Sequence, residues 1–515
     1  MTLDAAVARR LSDLDAERVP ARIWARDPTV WKDDPATLEI SDRLGWLTVA
    51  ETMAERVPDL TAFAAEIRAT YDRVVLCGMG GSSLAAEVLQ RTLGAARGHP
   101  SLVVLDSTDP RAVVAAAPGD PTRTLFVVSS KSGTTLEVDC FHRYFWDRTG
   151  GQGGGRQFVA ITDPETPLAR LAQAQGFRRT FVNPPDVGGR YAALSYFGLV
   201  PAALVGVDLT RLLEGARQMA TACGPRVAAS DNPAARLGAL LATAALGGRD
   251  KLTFVLSPGI ASFAAWAEQL IAESTGKEGK GILPVAGEPL GAPEAYGQDR
   301  LFVALTLAGE EDRGVAARLA ALEQAGHPLV RLTLADRYDL GQEFFRWEFA
   351  TAVAGAIVRI NPFDQPDVAE SKANTNTVLE GRTAPAPAAT DRELQAFLAR
   401  IGAGDYLALM AYLPPTAEYD RRLEVVRLRL RDRLKVATTL GYGPRLLHST
   451  GQLHKGGPPT GHFLQITEPA REDVPVPGKP FTFGTLEAAQ AEGDLRALRA
   501  RGRPALRVAR LEQLD

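Results

Sequence analysis

The chain has 515 residues, and its 58 Lys and Arg nearly balance its 61 Asp and Glu, which leaves a formal charge of −3. This balance gives no electrostatic reason to expect nucleic acid or an anionic membrane as the main partner. A hydrophobic content of 45% and a charged content of 23% are typical of a globular protein and exclude a largely disordered one.

Cysteine usage and hydropathy point to a reducing compartment. Cys77, Cys140 and Cys223 are odd in number and far apart, which excludes a disulfide framework or a cysteine zinc site. No run approaches the ~18 apolar residues that cross a bilayer. Residues 1–27 are rich in charges and lack the apolar core of a secretory signal. We therefore expect a cytoplasmic protein without membrane contact.

The pattern of apolar residues divides the chain into four parts. The first part is predicted to be mostly helical. Beyond it, short apolar runs alternate with amphipathic segments of about 10 to 20 residues, which is typical of βαβ units on a parallel sheet. The predicted parts are a helical segment at 1–70, a first unit at 71–230, a second unit at 231–385, a Pro/Ala-rich linker at 383–390 and a smaller third unit at 391–515.

Predicted strands follow in chain order within each unit. The first unit has them at 73–77, 101–106, 124–129, 158–162 and 180–182. The second unit has them at 252–256, 281–285, 301–306 and 329–333. The third unit has them near 406–412, 436–440, 463–466 and 506–509.

Two strand-to-helix loops of the first unit carry candidate binding groups. The loop at 78–83 reads GMGGSS, a weak signal by itself because such turns often serve only tight packing. The loop at 129–135 reads SSKSGTT and combines five hydroxyls with one Lys. Hydroxyls and helix N-terminal amides bind phosphate oxygens, and a cation offsets the charge. The GxxxxGK[ST] order is absent, so the pattern favours a phosphorylated metabolite over a nucleotide.

Three later segments place polar side chains in apolar surroundings. Arg190 follows two glycines in GGRY, an arrangement that can aim a guanidinium at an anion. Gln269 and Glu273 are four residues apart on a predicted helix and share a face, which makes Glu273 a candidate general base. Gln365 and Lys372 are seven apart and lie on one face of a further predicted helix.

Together and in this order, GGS, SKSGTT, GGRY, the Gln-x-x-x-Glu pair and FDQP…K resemble the glucose-6-phosphate isomerase family, whose members are built from two sugar-isomerase (SIS) domains. The chain also resembles the isomerase half of bacterial transaldolase/glucose-6-phosphate isomerase fusions. The resemblance implies an α/β fold with two SIS-type, doubly wound, flavodoxin-like parallel-sheet domains and a smaller C-terminal α+β unit. It also implies a homodimer that interconverts glucose 6-phosphate and fructose 6-phosphate without metal or cofactor.

The resemblance further implies a role for each matching residue. Glu273 would move a proton between C1 and C2, and Arg190 would stabilise the negative charge of the cis-enediolate. Gln269 and Gln365 would seat the sugar, and Lys372 would assist ring opening. The phosphate would be held by Gly81, Ser82, Ser130, Lys131, Ser132 and Thr135.

The sequence departs from the family at one histidine. In the family, a His that helps to open the sugar ring lies between the Glu and the Lys, in a pattern like LHSxGQ. The corresponding stretch here, 284–300, contains no His, and a close copy of the pattern, LHSTGQLHKGG, occurs at 447–457. We therefore predict that the third unit supplies the ring-opening histidine, with His448 as the better match and His454 as the second candidate.

Two other functions stay open from the sequence. A bifunctional enzyme would also isomerise mannose 6-phosphate, and that choice depends on the shape of the pocket around C2. A non-catalytic SIS protein would bind a sugar phosphate without turning it over.

Overall fold

The chain begins with a helical segment in this computed structural model, which describes residues 2–117, 119–151, 154–381, 386–468, 470 and 472–514. Its helices are α1 (Leu3–Ala16), α2 (Val19–Trp24), α3 (Val49–Ala54) and α4 (Val57–Arg68). Trp46 is fully buried, and its ring centroid lies 5.3 Å from that of Tyr191 in the first unit. The predicted N-terminal helices are therefore confirmed and share a core with the unit that follows.

The first unit is a five-stranded parallel sheet with helices on its connections. Its strands are β1 (Arg73–Cys77), β2 (Ser101–Leu105), β3 (Thr124–Ser129), β4 (Phe158–Thr162) and β5 (Arg179–Val182). Its helices are α5 (Leu84–Leu93), α6 (Pro110–Ala116), α7 (Leu136–Arg148), α8 (Pro167–Ala174), α9 (Tyr196–Leu204) and α10 (Leu209–Ala222). The strand order β2-β1-β3-β4-β5 is the flavodoxin-like winding expected from the sequence.

The second unit repeats this winding with four strands in the order β7-β6-β8-β9. The strands are β6 (Lys251–Leu256), β7 (Leu283–Val285), β8 (Arg300–Leu307) and β9 (Leu329–Leu334). The helices are α11 (Pro233–Leu246), α12 (Phe263–Thr275), α13 (Arg313–Gln324), α14 (Leu340–Val358) and α15 (Ala369–Leu379). Asn232 starts the unit because its side chain accepts hydrogen bonds from two backbone amides of the first turn of α11.

The third unit carries a parallel sheet as well. Its strands are β10 (Tyr406–Tyr412), β11 (Ala437–Tyr442), β12 (Gly461–Thr467) and β13 (Ala505–Val508), in the order β11-β10-β12-β13. Its helices are α16 (Asp391–Leu398), α17 (Ala417–Leu434), α18 (Gly451–Gly456) and α19 (Phe483–Ala500). The fold class is confirmed for the chain, but this unit is α/β where α+β was expected. The reason is that α17, α18 and α19 each return the chain to the end of the sheet at which the strands begin. Each new strand therefore runs parallel to its neighbour.

All of the predicted strands occur in the structure, close to their predicted bounds. Part of the predicted linker, 383–385, lies outside the described residues. The following segment is bound to the third unit, because the Ala386 amide donates to Glu492 Oε2 at 2.9 Å and the Ala389 amide donates to the Arg507 carbonyl at 2.8 Å. Within the described ranges, no helix is both long and apolar enough to cross a bilayer.

A buried charge cluster fastens the third unit to the second. Arg300 and Glu288, both of the second unit, have fully buried side chains 3.2 Å apart. Thr438 of β11 donates to Glu288 Oε2 at 2.9 Å, and Arg427 of α17 donates to the Ala286 carbonyl at 2.9 Å. Buried charges that lose their partners destabilise a fold strongly. The third unit therefore covers this buried pair and adds hydrogen bonds to the segment that carries Glu288.

The contact between α19 and the first unit contains a titratable group. Burial, followed by the negative charge of Asp109, raises the pKa of Glu487 from its ordinary 4.5 to about 8, while Arg111 acts in the opposite direction and Asp473 adds to the rise. Since the folded state holds this proton to higher pH than the unfolded state does, stability falls as pH rises from about 4.5 to about 8.

Replacing Glu487 by Gln should remove this pH dependence. We expect Glu487→Gln to raise the free energy of unfolding by about 1 kcal/mol near pH 9 and by clearly less near pH 5. Thermal melting of the variant and the wild type at both pH values measures the difference. An equal change in melting temperature at the two pH values would contradict the raised pKa of Glu487.

Candidate active site

Two loops of the first unit meet at the carboxyl edge of its sheet. β1 and β3 are neighbours, so the loops that follow them lie at the point where the strand order reverses, the usual ligand site of such sheets. The Ser129 hydroxyl, at the end of β3, donates to the Ser82 carbonyl at 2.8 Å and joins the two loops. The predicted pair of loops is therefore brought together.

The glycines of the first loop permit a close approach of backbones. A Cβ at Gly81 would lie 2.1 Å from the Gly189 carbonyl oxygen and 3.0 Å from the Arg190 amide nitrogen. Gly80 has φ +52°, and a Cβ there would lie 2.7 Å from the His448 carbonyl oxygen. The GGS turn thus contacts both the Arg190 loop and the third unit, which no side chain larger than hydrogen would allow.

The second loop gathers hydroxyls at the start of α7. Ser130 Oγ lies 2.9 Å from Thr135 Oγ1, and Ser132 Oγ lies 2.9 Å from Thr134 Oγ1. The Gly133 amide donates to Ser130 Oγ at 3.1 Å. Hydroxyls beside unpaired helix amides form a suitable environment for a phosphate, and binding of phosphate there stays a prediction.

Lys131 of the same loop is already paired in this structure. Its ammonium contacts the Asp163 carboxylate and donates to the Pro185 carbonyl at 3.2 Å. These contacts join the hydroxyl loop to the segment that leads into Arg190. The predicted contact of Lys131 with phosphate stays a prediction.

Arg190 is buried, with 3% of its surface exposed, and every nitrogen of its guanidinium has a partner. Nε donates to Ser274 Oγ at 2.8 Å, and Nη2 donates to the carbonyls of Pro362 and Asp364 at 2.7 and 2.8 Å. Nη1 donates to Gln365 Oε1 at 2.8 Å. The arginine therefore holds α12 and the FDQP loop in one fixed geometry.

Glu273 lies next to this guanidinium. Its Oε1 is 3.5 Å from Arg190 Nη1, and its Oε2 accepts a hydrogen bond of 3.0 Å from Gln269 Nε2. The predicted shared face of Gln269 and Glu273 is confirmed. Gln269 Nε2 also donates to the His448 carbonyl at 2.7 Å, so the carboxylate is connected to the third unit.

His448 enters the site from the third unit, beside a carboxylate that the sequence analysis missed. His448 Nε2 lies 2.9 Å from Glu137 Oε1, which also accepts from Gln490 Nε2 at 2.7 Å. Burial raises the pKa of Glu137, but the charge and hydrogen bond of His448, a backbone hydrogen bond and the charge of Lys372 together hold that pKa below its ordinary value. The sequence signal that could have identified Glu137 is its position as an acidic residue in the first turn of the helix that follows SKSGTT.

A cleft of about 160 Å³ lies between the start of α7, His448 and α15, and neither Glu273 nor Arg190 is among its lining residues. It brings Lys372 together with His448 and with the hydroxyl loop, although these parts are far apart in the sequence. The charge of Lys372 is one of the influences that lower the pKa of Glu137. The residues of its wall that bear on chemistry are Thr134, Thr135, Glu137, Lys372, His448 and Gln490.

The second histidine candidate, His454, lies in the core. It is 3% exposed, and its ring centroid is 4.9 Å from that of Phe463 and 6.4 Å from that of Tyr406. Neither ring nitrogen has a hydrogen-bond partner among the described residues. Burial therefore lowers the pKa of His454 well below its ordinary value. The geometry favours His448 for contact with a ligand.

Lys277 lies behind the site and holds the FDQP loop. Its ammonium donates to the Asn361 carbonyl at 2.6 Å and to Asp364 Oδ1 at 2.6 Å. Burial, together with the charge of Arg190, lowers the pKa of Lys277 to about 7. For metals, the part of the chain described here contains no group of three or more His, Cys, Asp or Glu arranged to hold an ion.

Comparisons with known proteins identify the family to which the chain belongs. The model of the family "Phosphoglucose isomerase" matches residues 52–282. A glucose-6-phosphate isomerase of Symbiobacterium thermophilum is 33% identical over 393 residues, which cover 65% of this chain and 86% of the relative. One of Enterococcus faecalis is 28% identical over 429 residues, which cover 72% and 93%. The chain belongs to the phosphoglucose isomerase family.

Solved structures support the fold. A hypothetical protein of Thermus thermophilus superposes with a TM-score of 0.61 and 25% identity, covering 73% of this chain and 98% of that chain. A glucose-6-phosphate isomerase of Chlamydia trachomatis gives a TM-score of 0.54 with 21% identity, covering 70% and 78%. Each of these two superpositions leaves more than a quarter of this chain without an equivalent.

The contact between the GGS turn and the Arg190 loop can be tested with two matched substitutions. Gly81→Ala should destabilise the protein by about 1–3 kcal/mol, because its Cβ collides with backbone that cannot move freely. Gly189→Ala should stay close to wild type, since nothing lies within 4 Å of a Cβ at that position. Urea unfolding of both variants measures the difference, and equal stability of the two would contradict the described contact.

Proposed function

We propose that the protein is a glucose-6-phosphate isomerase, which interconverts D-glucose 6-phosphate and D-fructose 6-phosphate. The observation that carries this proposal is the Glu273 carboxylate 3.5 Å from the buried Arg190 guanidinium, linked through Gln269 to the His448 carbonyl, in a chain of the phosphoglucose isomerase family. A base beside a fixed cation is what proton transfer at a carbon next to a carbonyl requires.

In the proposed reaction, Glu273 removes the proton from C2 of the open-chain aldose and returns it to C1. The proton of the C2 hydroxyl moves to O1, so that the atoms balance. The cis-enediolate formed between the two transfers carries negative charge, which Arg190 stabilises. Because its partners already fix the guanidinium, this stabilisation needs little reorganisation and contributes roughly 3–4 kcal/mol.

Ring opening comes before proton transfer, because a hexose 6-phosphate is mainly cyclic in solution. The ring oxygen must gain a proton, and the C1 hydroxyl of the aldose must lose one. A histidine can do both near neutral pH, and the contact of 2.9 Å between His448 and Glu137 orients the imidazole for this work. Lys372, on the wall of the same cleft, would assist the step.

The phosphate is proposed to bind at Gly81, Ser82, Ser130, Lys131, Ser132 and Thr135, with Gln269 and Gln365 seating the sugar. We expect turnover without a metal or cofactor. We also expect a cytoplasmic location and a homodimer. Size-exclusion chromatography with light scattering tests the dimer.

Isomerase activity is tested with Glu273→Gln, which keeps the shape of the side chain and removes the base. We expect kcat to fall by about 10²–10⁴-fold with unchanged melting temperature. The matched control is Glu278→Gln, because Glu278 is exposed and pairs with Lys32 at the surface. A folded Glu273→Gln variant with near wild-type activity would overturn the proposal.

The assay supplies fructose 6-phosphate with a chelator present and measures glucose 6-phosphate and mannose 6-phosphate with separate linked enzymes. Formation of glucose 6-phosphate supports the proposal, and formation of both products identifies a bifunctional enzyme. A thermal shift with sugar phosphate but no turnover identifies a binding protein instead.

Ring opening is tested with His448→Ala on two substrates. The variant should lose about 10²-fold or more of kcat/KM on fructose 6-phosphate. It should lose far less on 5-deoxyfructose 6-phosphate, which lacks the hydroxyl that closes the ring. His99→Ala, at the opposite edge of the first sheet, serves as the control. Equal losses on both substrates would contradict the role of His448.

A further inference from the structure

We propose that His448 acts on the substrate held by its own chain, so that the third unit completes the site in cis. The inference rests on the proposed function for its chemistry. Three observations support it. They are the contacts of His448 itself, the contacts of the residues on either side of it, and the short connection between α15 and the third unit.

His448 contacts both other units at once. Its imidazole lies 2.9 Å from Glu137 of the first unit. Its carbonyl accepts the hydrogen bond of 2.7 Å from Gln269 of the second unit. The ring and the backbone of a single residue are therefore fixed from two sides, and the second of these contacts leads directly to Glu273.

Arg445 anchors the histidine segment to the first unit. Its guanidinium contacts the Glu87 carboxylate of α5 and lies 3.2 Å from Asp106, which follows β2. Burial lowers the pKa of Arg445, but the charges of Asp106, Glu87 and Glu268 and the hydrogen bond to Glu87 together raise it above its ordinary value. A shielded ion pair with two carboxylates resists separation much more than an exposed pair does.

The residues after His448 are anchored to the second unit. Gln452 Nε2 donates to the Gly276 carbonyl at 3.0 Å, and the Asp367 amide donates to Gln452 Oε1 at 2.9 Å. A Cβ at Gly276 would lie 2.3 Å from the Leu453 Cα, so the two backbones are in direct contact. The histidine segment is thus held at both ends.

The path of the chain keeps these contacts within one copy. α15, which carries Lys372, crosses α19 so closely that a Cβ at Gly493 would lie 2.8 Å from the Thr375 amide nitrogen. Only six residues, 380–385, separate the end of α15 at Leu379 from Ala386, which is itself bonded to α19. The seven residue steps from Leu379 to Ala386 span at most about 25 Å. That length leaves the third unit next to the α15 of its own chain.

Mixing two inactive variants tests the inference. Glu273→Gln and His448→Ala chains are produced separately and also by co-expression, which allows any association to form during folding. If His448 acts in cis, no site in the mixture contains both native residues, and activity should equal the mean of the two separate variants. If it acts between copies, random pairing restores both residues in about a quarter of the sites. Recovery of about a quarter of wild-type activity would overturn the inference.

A second measurement does not depend on activity. Cysteines placed at the touching pair, as Glu87→Cys with Arg445→Cys, are joined with a short bis-maleimide, and the single variants show the background from the buried native cysteines. Cross-linked material at the mass of one chain on a denaturing gel supports the inference, and material at twice that mass overturns it. An inactive wild type would refute the proposed function, while the gel would still decide the placement of His448.

Discussion

A buried guanidinium needs a partner at each of its nitrogens, and Arg190 finds them in two segments that are distant from it in sequence. α12 contributes Ser274 and Glu273, and the FDQP loop contributes two carbonyls and Gln365. An unpaired charge at this depth would cost several kcal/mol. The fold therefore brings the Glu273 carboxylate, the Arg190 guanidinium and the Gln365 amide to one place, and the GGS turn can approach only because Gly81 has no side chain.

The three units of the chain share one winding, and each has a different task at the site. In the proposed site, the first unit supplies the helix start and the hydroxyls, the second supplies Glu273 as the proposed base, and the third supplies His448. The carboxyl edge of the first sheet is where the loops converge. The buried cluster around Glu288 and Arg300 joins the third unit to the second, and the Gln269 side chain of the second unit contacts the His448 carbonyl directly.

Local patterns predicted much of this arrangement. The strands follow from apolar runs between turns, and the pairing of Gln269 with Glu273 follows from helical spacing. The partnership of His448 with Glu137 could not be predicted, because the two residues are 311 positions apart and no periodicity connects them. The ion pair of Lys131 with Asp163 and the parallel third sheet depend on tertiary packing, which decides strand direction and side-chain partners after the elements have formed.

The most direct test of the account is a crystal structure of the Glu273→Gln variant with fructose 6-phosphate bound. The account predicts the phosphate within hydrogen-bond distance of Ser82 and Thr135, with C1 and C2 of the sugar next to the carboxamide of residue 273. It also predicts the imidazole of His448 from the same chain beside the sugar ring. A phosphate bound elsewhere, or a sugar turned away from residue 273 and Arg190, would contradict it.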